Sequence, residues 1–221
     1  MRAKELINYL IPPLKPEDTI DQALQWMEEF RLSELPVADN EEFLGVVSEE
    51  MLMALPAVEA QISDLQLVGQ ETLIRDTRHF YEVLRVAYST NRKVVAVLDE
   101  YDRYIGAISV EDVVEAFAKT STIQHPGAIL VIETNNRDYY LSEISRIVES
   151  VDLKILSSYI VSREDDPTKI ELTIKINKED TSHVISMLDA NGYKVVESFS
   201  QSQGSMMEKD RLDQLLNFLK I

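Results

Sequence analysis

The chain has 221 residues, 45% hydrophobic and 28% charged, and its 22 Lys and Arg against 39 Asp and Glu give a formal net charge of -17. There is no cysteine, which excludes disulfides, thiol catalysis, zinc–thiolate sites and iron–sulfur clusters. So large an acid excess opposes the counterion release that nucleic-acid binding requires, and no apolar run reaches the roughly 18–20 residues of a membrane span. Glu5 and the pair Pro12-Pro13 break any signal-peptide core, so the chain reads as a cytoplasmic protein with neither nucleic acid nor membrane as partner.

A short apolar lead-in (Leu6 to Leu14) precedes Ile20, Ala23, Leu24 and Met27, an i, i+3, i+4, i+7 stripe that predicts a helix. Leu35-Pro36-Val37-Ala38-Asp39 and Phe43-Leu44-Gly45-Val46-Val47-Ser48 then predict two buried strands, followed by a second helix. About sixty residues on, the pattern recurs. A lead-in (Leu65 to Ile74) is followed by the stripe Phe80, Val83, Leu84 and Ala87. The strands Val95-Ala96-Val97-Leu98-Asp99 and Tyr104-Ile105-Gly106-Ala107-Ile108-Ser109 come next, and a helix striped by Val110, Val113, Val114 and Phe117 ends the unit. One inserted residue moves the offset from 60 to 61 between the two strands. Each unit alone has too small a core, so the two are expected to pack as a pseudo-symmetric pair.

These residues resemble the CBS domain, whose pattern places "s-x-L-P-V-h-D" before "G-h-h-S/T-x-x-D" at the start of the last helix. The first copy has Ser33-Glu34-Leu35-Pro36-Val37-Ala38-Asp39 and Gly45-Val46-Val47-Ser48-Glu49-Glu50-Met51; the second has Gly106-Ala107-Ile108-Ser109-Val110-Glu111-Asp112. The resemblance covers residues 1–120, with repeats over 1–60 and 61–122.

Thr120 to Pro126, followed by Gly127, reads as a linker. Ala128 to Glu133 predicts a strand, and Leu141, Ile144, Val148 and Val151 a helix face. Leu153 to Val161 predicts a second strand, and the alternation Ile170, Leu172, Ile174, Ile176 a third. Val184, Ile185 and Leu188 mark a helix capped at Asn191-Gly192, and Tyr193 to Phe199 a closing strand. The order βαββαβ is the ferredoxin-like plait, expected over 127–200. Behind a CBS pair it resembles an ACT-like domain, as in acetoin-utilisation-type CBS–ACT proteins. ACT domains that bind amino acids carry glycine after the first strand, where this chain has Thr134-Asn135-Asn136-Arg137-Asp138. Residues 205–221 contain one more stripe, Leu212, Leu215, Leu216 and Leu219, which must bury either on its own sheet or on another subunit. The fold class is therefore α+β: a CBS pair, an ACT-like plait and a C-terminal amphipathic helix.

No catalytic or metal-binding motif occurs: there is no G-x-S-x-G, P-loop, H-E-x-x-H or G-x-G-x-x-G. His79, His125 and His183 are scattered and read as solvated; Glu41-Glu42 reads as a turn, and Glu49-Glu50 as complementing a helix dipole. Ser109 and Asp112 have two readings. S-x-x-D before an apolar stripe is a capping box. The same helix start also presents free N–H groups to a phosphate, with a carboxylate placed to accept a ribose diol.

The CBS resemblance implies the second role, with an adenine nucleotide as a regulatory ligand and no resident cofactor. It also places Ile11, Pro12, Leu32, Ser33 and Ala107 around the base. In the mirror site Met51 stands where the carboxylate would be, so one nucleotide per pair is expected, with Arg92 and Lys93 as possible phosphate contacts. The resemblance further implies a homodimer. The resulting expectation is a non-enzymatic sensor that relays nucleotide binding through domain or subunit packing, with a regulated partner protein as a further possibility. The rivals are a ligand-free interaction scaffold and an accessory subunit of an enzyme.

Overall fold

The computed structural model describes residues 1–54, 60–163 and 165–200. They fall into two compact units that divide after Lys119. The expected helix over 205–221 lies outside the described residues. Among those described, no helix is long and apolar enough to cross a membrane.

The first unit opens with a 3-10 turn (Ala3–Leu6), followed by α1 (Ile20–Phe30), β1 (Glu34–Asp39), β2 (Glu42–Ser48) and α2 (Glu49–Met53). A second 3-10 turn (Ile62–Asp64) then leads to β3 (Leu73–Arg75), α3 (Phe80–Thr90), β4 (Val94–Leu98), β5 (Tyr104–Ser109) and α4 (Val110–Ala118). The Thr19 hydroxyl caps α1 by accepting the Gln22 N–H, and His79 Nδ1 does the same for α3 with the Tyr81 N–H. Both helices end at a left-handed residue, Arg31 (φ 56°) and Asn91 (φ 52°), at matching places in the repeat. Their buried faces, Ile20, Ala23 and Met27 on α1 and Phe80, Val83 and Ala87 on α3, follow the expected stripes.

The stripes are wider than the core they meet. Leu84, Val114 and Phe117, read from the sequence as core, are 37%, 61% and 42% exposed, because α3 and α4 turn only the centre of each stripe inward.

β1 and β2 form an antiparallel hairpin closed by Asn40-Glu41, both at positive φ, the mirror-image turn suited to a two-residue loop. The β4–β5 hairpin carries the extra residue. There the Asp99 carboxylate accepts the backbone N–H groups of Tyr101 and Arg103 and the Arg103 guanidinium, which holds the longer loop and keeps the carboxyl below its usual range despite the opposing cost of desolvation.

The lead-ins are exchanged between the repeats. Ala3 and Leu6 bury themselves with Ile74, Phe80, Val83 and Val97 of the second repeat, whereas Ile62 joins Leu14, Ile20, Leu35 and Val47 of the first. The backbone bonds match in both places. Ala3 and Lys4 N–H donate to the Arg78 and Asp76 carbonyls; Ile62 and Ser63 N–H donate to those of Asp18 and Pro16. The motif glycines make room for the crossing. A Cβ on Gly45 (φ 146°) would stand 2.8 Å from the Val68 carbonyl oxygen, and one on Gly106 (φ 150°) 2.5 Å from Ile7 Cγ2. Across the pseudo-two-fold axis the matching residues Phe43 and Tyr104 stack, with ring centroids 6.2 Å apart. The Tyr104 hydroxyl is buried with no hydrogen-bond partner among the described residues, and burial raises its pKa.

The second unit runs α5 (Ser121–Gln124), β6 (Ala128–Asn135), α6 (Leu141–Ser150), β7 (Ile155–Ser162), β8 (Lys169–Ile176), α7 (Ser182–Ala190) and β9 (Lys194–Phe199). The antiparallel sheet has the order β7-β8-β6-β9, which with this connectivity is the ferredoxin-like plait. One sheet face, built from Ala128, Leu130, Ile132, Leu172, Ile174 and Ile176, packs on Ile144, Ile147 and Val148 of α6 and Val184 and Leu188 of α7.

Tyr193 closes this core, its hydroxyl donating to Glu143 Oε2 at 2.8 Å. Burial, reinforced by the Glu143 carboxylate, pushes its pKa from 10.0 up to about 12. The native state therefore keeps a proton that the unfolded chain begins to release near pH 10. This contribution is fully present below pH 10 and is lost as pH rises toward about 12. Urea unfolding across this range is expected to show falling stability, and Tyr193→Phe to flatten the fall; an unchanged slope in the variant would rule out Tyr193 as its source.

Candidate functional site

Ser109 ends β5 and caps α4, its Oγ accepting the Asp112 N–H at 3.0 Å. Asp112 answers with Oδ2, which accepts the Ser109 N–H at 2.9 Å and the Ser109 hydroxyl at 2.6 Å. The capping box is thus complete. Its other oxygen, Oδ1, accepts from Asn8 Nδ2 at 2.9 Å. Asn8, which the sequence reading did not single out, is a hub of the crossing lead-in: its N–H donates to the Ala107 carbonyl, its Oδ1 accepts the Leu10 N–H, and its carbonyl accepts the Ile11 N–H. The close approach demanded by Gly106 was the one signal in the sequence that a segment must cross here.

Beside this contact lies a cleft of about 430 Å³, lined by Asn8, Tyr9, Leu10, Asp112, Glu115 and Lys119 among others. Lys119 bonds to Glu115 and holds that carboxyl below its usual range. Tyr9 and Leu10 are 80% and 73% exposed, so the lead-in presents apolar side chains to solvent next to a carboxylate.

The other expected ligand residues separate into two groups. Ile11, Ala107 and half-buried Leu32 share one apolar cluster in the core of the first repeat, with Pro12 half-buried next to Ile11. Ser33, Arg92 and Lys93 instead line a cleft of about 710 Å³ together with Ser48, Glu49, Leu84 and Tyr88. Both cations already have protein partners. Arg92 Nη1 lies 3.2 Å from Oε1 of buried Glu34, and Lys93 Nζ donates to Ser33 Oγ at 3.0 Å. The Lys93 N–H also donates to Glu34 Oε2 at 2.6 Å, so Glu34 of one repeat holds the matching stretch of the other.

In the mirror position Ser48 caps the five-residue α2 by accepting the Met51 N–H, with no carboxylate at the third helical position. His79 is a helix cap, and His125 and His183 are exposed. No three His, Asp or Glu side chains among the described residues gather as a metal site. In the second unit the glycine-free turn is tied by Asn135 Nδ2 to Asp138 Oδ2 at 2.9 Å and borders a cleft of about 450 Å³.

Residues 3–57 match the CBS domain family. Inosine-5'-monophosphate dehydrogenase of Methanocaldococcus jannaschii is 25% identical over 115 residues, 52% of this chain and 23% of that enzyme, so the chain spans about a quarter of this curated relative. Among solved structures, a CBS domain pair/ACT domain protein of Thermotoga maritima is similar at 22% identity and a TM-score of 0.49, covering 54% of this chain and 98% of that one. CBSX2, known from Arabidopsis thaliana and solved in complex with AMP, is similar at 23% identity and a TM-score of 0.47 over 53% of this chain and 96% of its own. The cytosolic domain of the Mg2+ channel MgtE in complex with ATP follows at 19% and 0.44, covering 52% and 48%. The second repeat reproduces the helix, strand, strand, helix order of the first, which carries the match to the CBS domain, and the unit that follows has the ferredoxin-like plait.

Proposed function

We propose that the CBS pair is a regulatory module that binds an adenine nucleotide at the Asp112 end of α4 and reports its presence through the packing of the repeats. The Asn8–Asp112 bond carries this reading. A ribose diol is chemically suited to replace the Asn8 amide as donor to Oδ1, and replacing it removes one of the bonds that hold the crossing lead-in, the Asn8 N–H to Ala107 carbonyl bond being another. Half-buried Leu32 is the apolar surface offered to the base, with Ile11 and Ala107 buried in the same cluster, and a phosphate at the start of α4 competes with the Ser109 hydroxyl and the Lys93 carbonyl for the Asp112 and Val110 N–H groups. Ser33 and Lys93 are the polar groups toward which further phosphates would extend. With Met51 at the mirror position, one nucleotide binds per pair. A ligand acts only through unequal affinity for two arrangements, so the readout requires a second copy of the chain or a regulated partner protein.

The test is thermal unfolding of the wild type and Asp112→Ala with AMP, ADP, ATP and S-adenosylmethionine. Ligand at 100 times its dissociation constant adds about 2.7 kcal/mol, a shift of several degrees. Loss of the capping box lowers the variant by about 1 kcal/mol whether or not ligand binds. A wild-type shift that Asp112→Ala abolishes supports the proposal. Flat curves for all four ligands reject it in favour of a scaffold that binds no small molecule, a reading favoured by one observation: both Asp112 oxygens already have protein donors.

A further inference from the structure

The two repeats hold the starts of α2 and α4 by the same backbone bond. The Glu49 N–H donates to the Ser33 carbonyl at 3.0 Å, and the Val110 N–H donates to the Lys93 carbonyl at 2.9 Å. Glu49 thus stands in the first repeat where Val110 stands in the second. Both line the cleft of about 710 Å³, together with Glu34, Glu50, Arg92 and Lys93. Three acidic residues and two basic ones therefore surround a space that runs from the start of α4 to the start of α2. Arg92 is engaged with Glu34 at 3.2 Å. Among the described residues lining the cleft, the cation left for an anion is Lys93, held to Ser33 Oγ at 3.0 Å. Glu49 and Glu50 are both exposed.

We propose that this cleft selects an adenosyl ligand carrying at most one phosphate and rejects the di- and triphosphate. The proposal rests on nucleotide binding at Ser109 and Asp112 and specifies the ligand class of that site. A phosphate at the start of α4 is next to Lys93, because Val110 bonds the Lys93 carbonyl there, so one phosphate meets one cation. Further phosphates extend into the cleft toward Glu49 and Glu50, where each added oxyanion meets carboxylates. Apposed like charges at an interface cost several kcal/mol, enough to shift affinity by an order of magnitude or more. The apolar wall of Leu84, Ala87 and Val110 strengthens the repulsion, and the net charge of -17 acts in the same direction. A ligand whose 5′ substituent is neutral or cationic, such as a sulfonium, avoids the repulsion as a single phosphate does. The difference between the repeats is the determinant. The α4 side has an apolar residue where the α2 side has an acid, so an anion is accepted at one helix start and refused at the other.

Isothermal titration of the full chain with AMP, ADP, ATP and S-adenosylmethionine, without and with Mg2+, reads the selectivity. The tighter of AMP and S-adenosylmethionine should bind at least about tenfold more strongly than ATP, and it identifies the 5′ group. Glu49→Gln combined with Glu50→Gln should tighten ATP several-fold and leave the preferred ligand nearly unchanged. Glu17→Gln with Glu29→Gln, at exposed positions elsewhere in the same unit, removes the same charge and should leave the ratio of the two affinities where it was. The ratio is the readout because lost dipole complementation at α2 lowers stability whichever ligand is present. ATP bound as tightly as the preferred ligand, with or without Mg2+, would overturn the proposal while leaving nucleotide binding intact. A ratio that the Glu49 and Glu50 substitutions do not move also overturns it. The absence of binding by all four ligands removes the nucleotide reading itself, and this inference with it.

Discussion

Replacing Gly127 with alanine is expected to lower the stability of the second domain by roughly 3 kcal/mol or more, the upper range for overpacking combined with backbone strain. Gly127 sits at the entrance to β6 with φ 154°, and an added Cβ would lie 1.9 Å from the Ile176 carbonyl oxygen. That oxygen belongs to a fully buried residue at the end of the inner strand β8, paired with Ala128 on one side and Ile155 on the other, which limits how far it can retreat. Urea unfolding followed by far-ultraviolet dichroism reads the change, with Pro126→Ala as a control for the neighbouring peptide. A loss below about 0.5 kcal/mol, the range of ordinary surface substitutions, would mean that the strand entrance can rearrange and that the close approach is not a constraint.

The second large effect is expected at the pseudo-two-fold axis. Glu34 is 6% exposed and is held by Arg92 Nη1 and the Lys93 N–H. Arg92→Met leaves this carboxylate buried with a single donor, and removing one member of a buried ion pair costs about 3–5 kcal/mol. Glu34→Gln together with Arg92→Met should recover most of that loss, because the uncompensated charge disappears with its partner. A double-mutant cycle by urea unfolding measures the coupling. The same variants separate two roles for Arg92. If its work is to hold Glu34, the double variant keeps any nucleotide-induced thermal shift; if it contacts phosphate, the shift falls while stability is restored.

The duplicated unit was legible because its signals are local: helix stripes, short apolar strands, and glycines before a serine cap. The plait was legible for the same reason, with the alternation Ile170, Leu172, Ile174, Ile176 lying on the buried sheet face as expected. What escaped is not local. Nothing in Ala3, Leu6 or Ile62 says which repeat they bury against, since two similar cores offer similar partners. Leu84, Val114 and Phe117 keep perfect helical spacing yet face outward, because periodicity fixes the direction of a stripe and not the width of the surface it meets.

At the candidate site, the paired Ser109 and Asp112 stood out by their spacing, but Asn8 did not. An asparagine in an irregular lead-in has no pattern, and its importance comes from a contact 104 residues away. Glu34 was likewise hidden: a lone acid before Leu35-Pro36-Val37 gives no hint that a cation from the other repeat neutralises it.

The exchanged lead-ins have a physical corollary. A chain containing only one such unit would present a core with a missing wall and a loose segment shaped to fill the same gap elsewhere. It could be completed only by a second copy, each molecule inserting its leading segment into the other, and would therefore hold together only at sufficient concentration. Two units on one chain make the same exchange intramolecular, so the fold of each half no longer depends on how much protein is present.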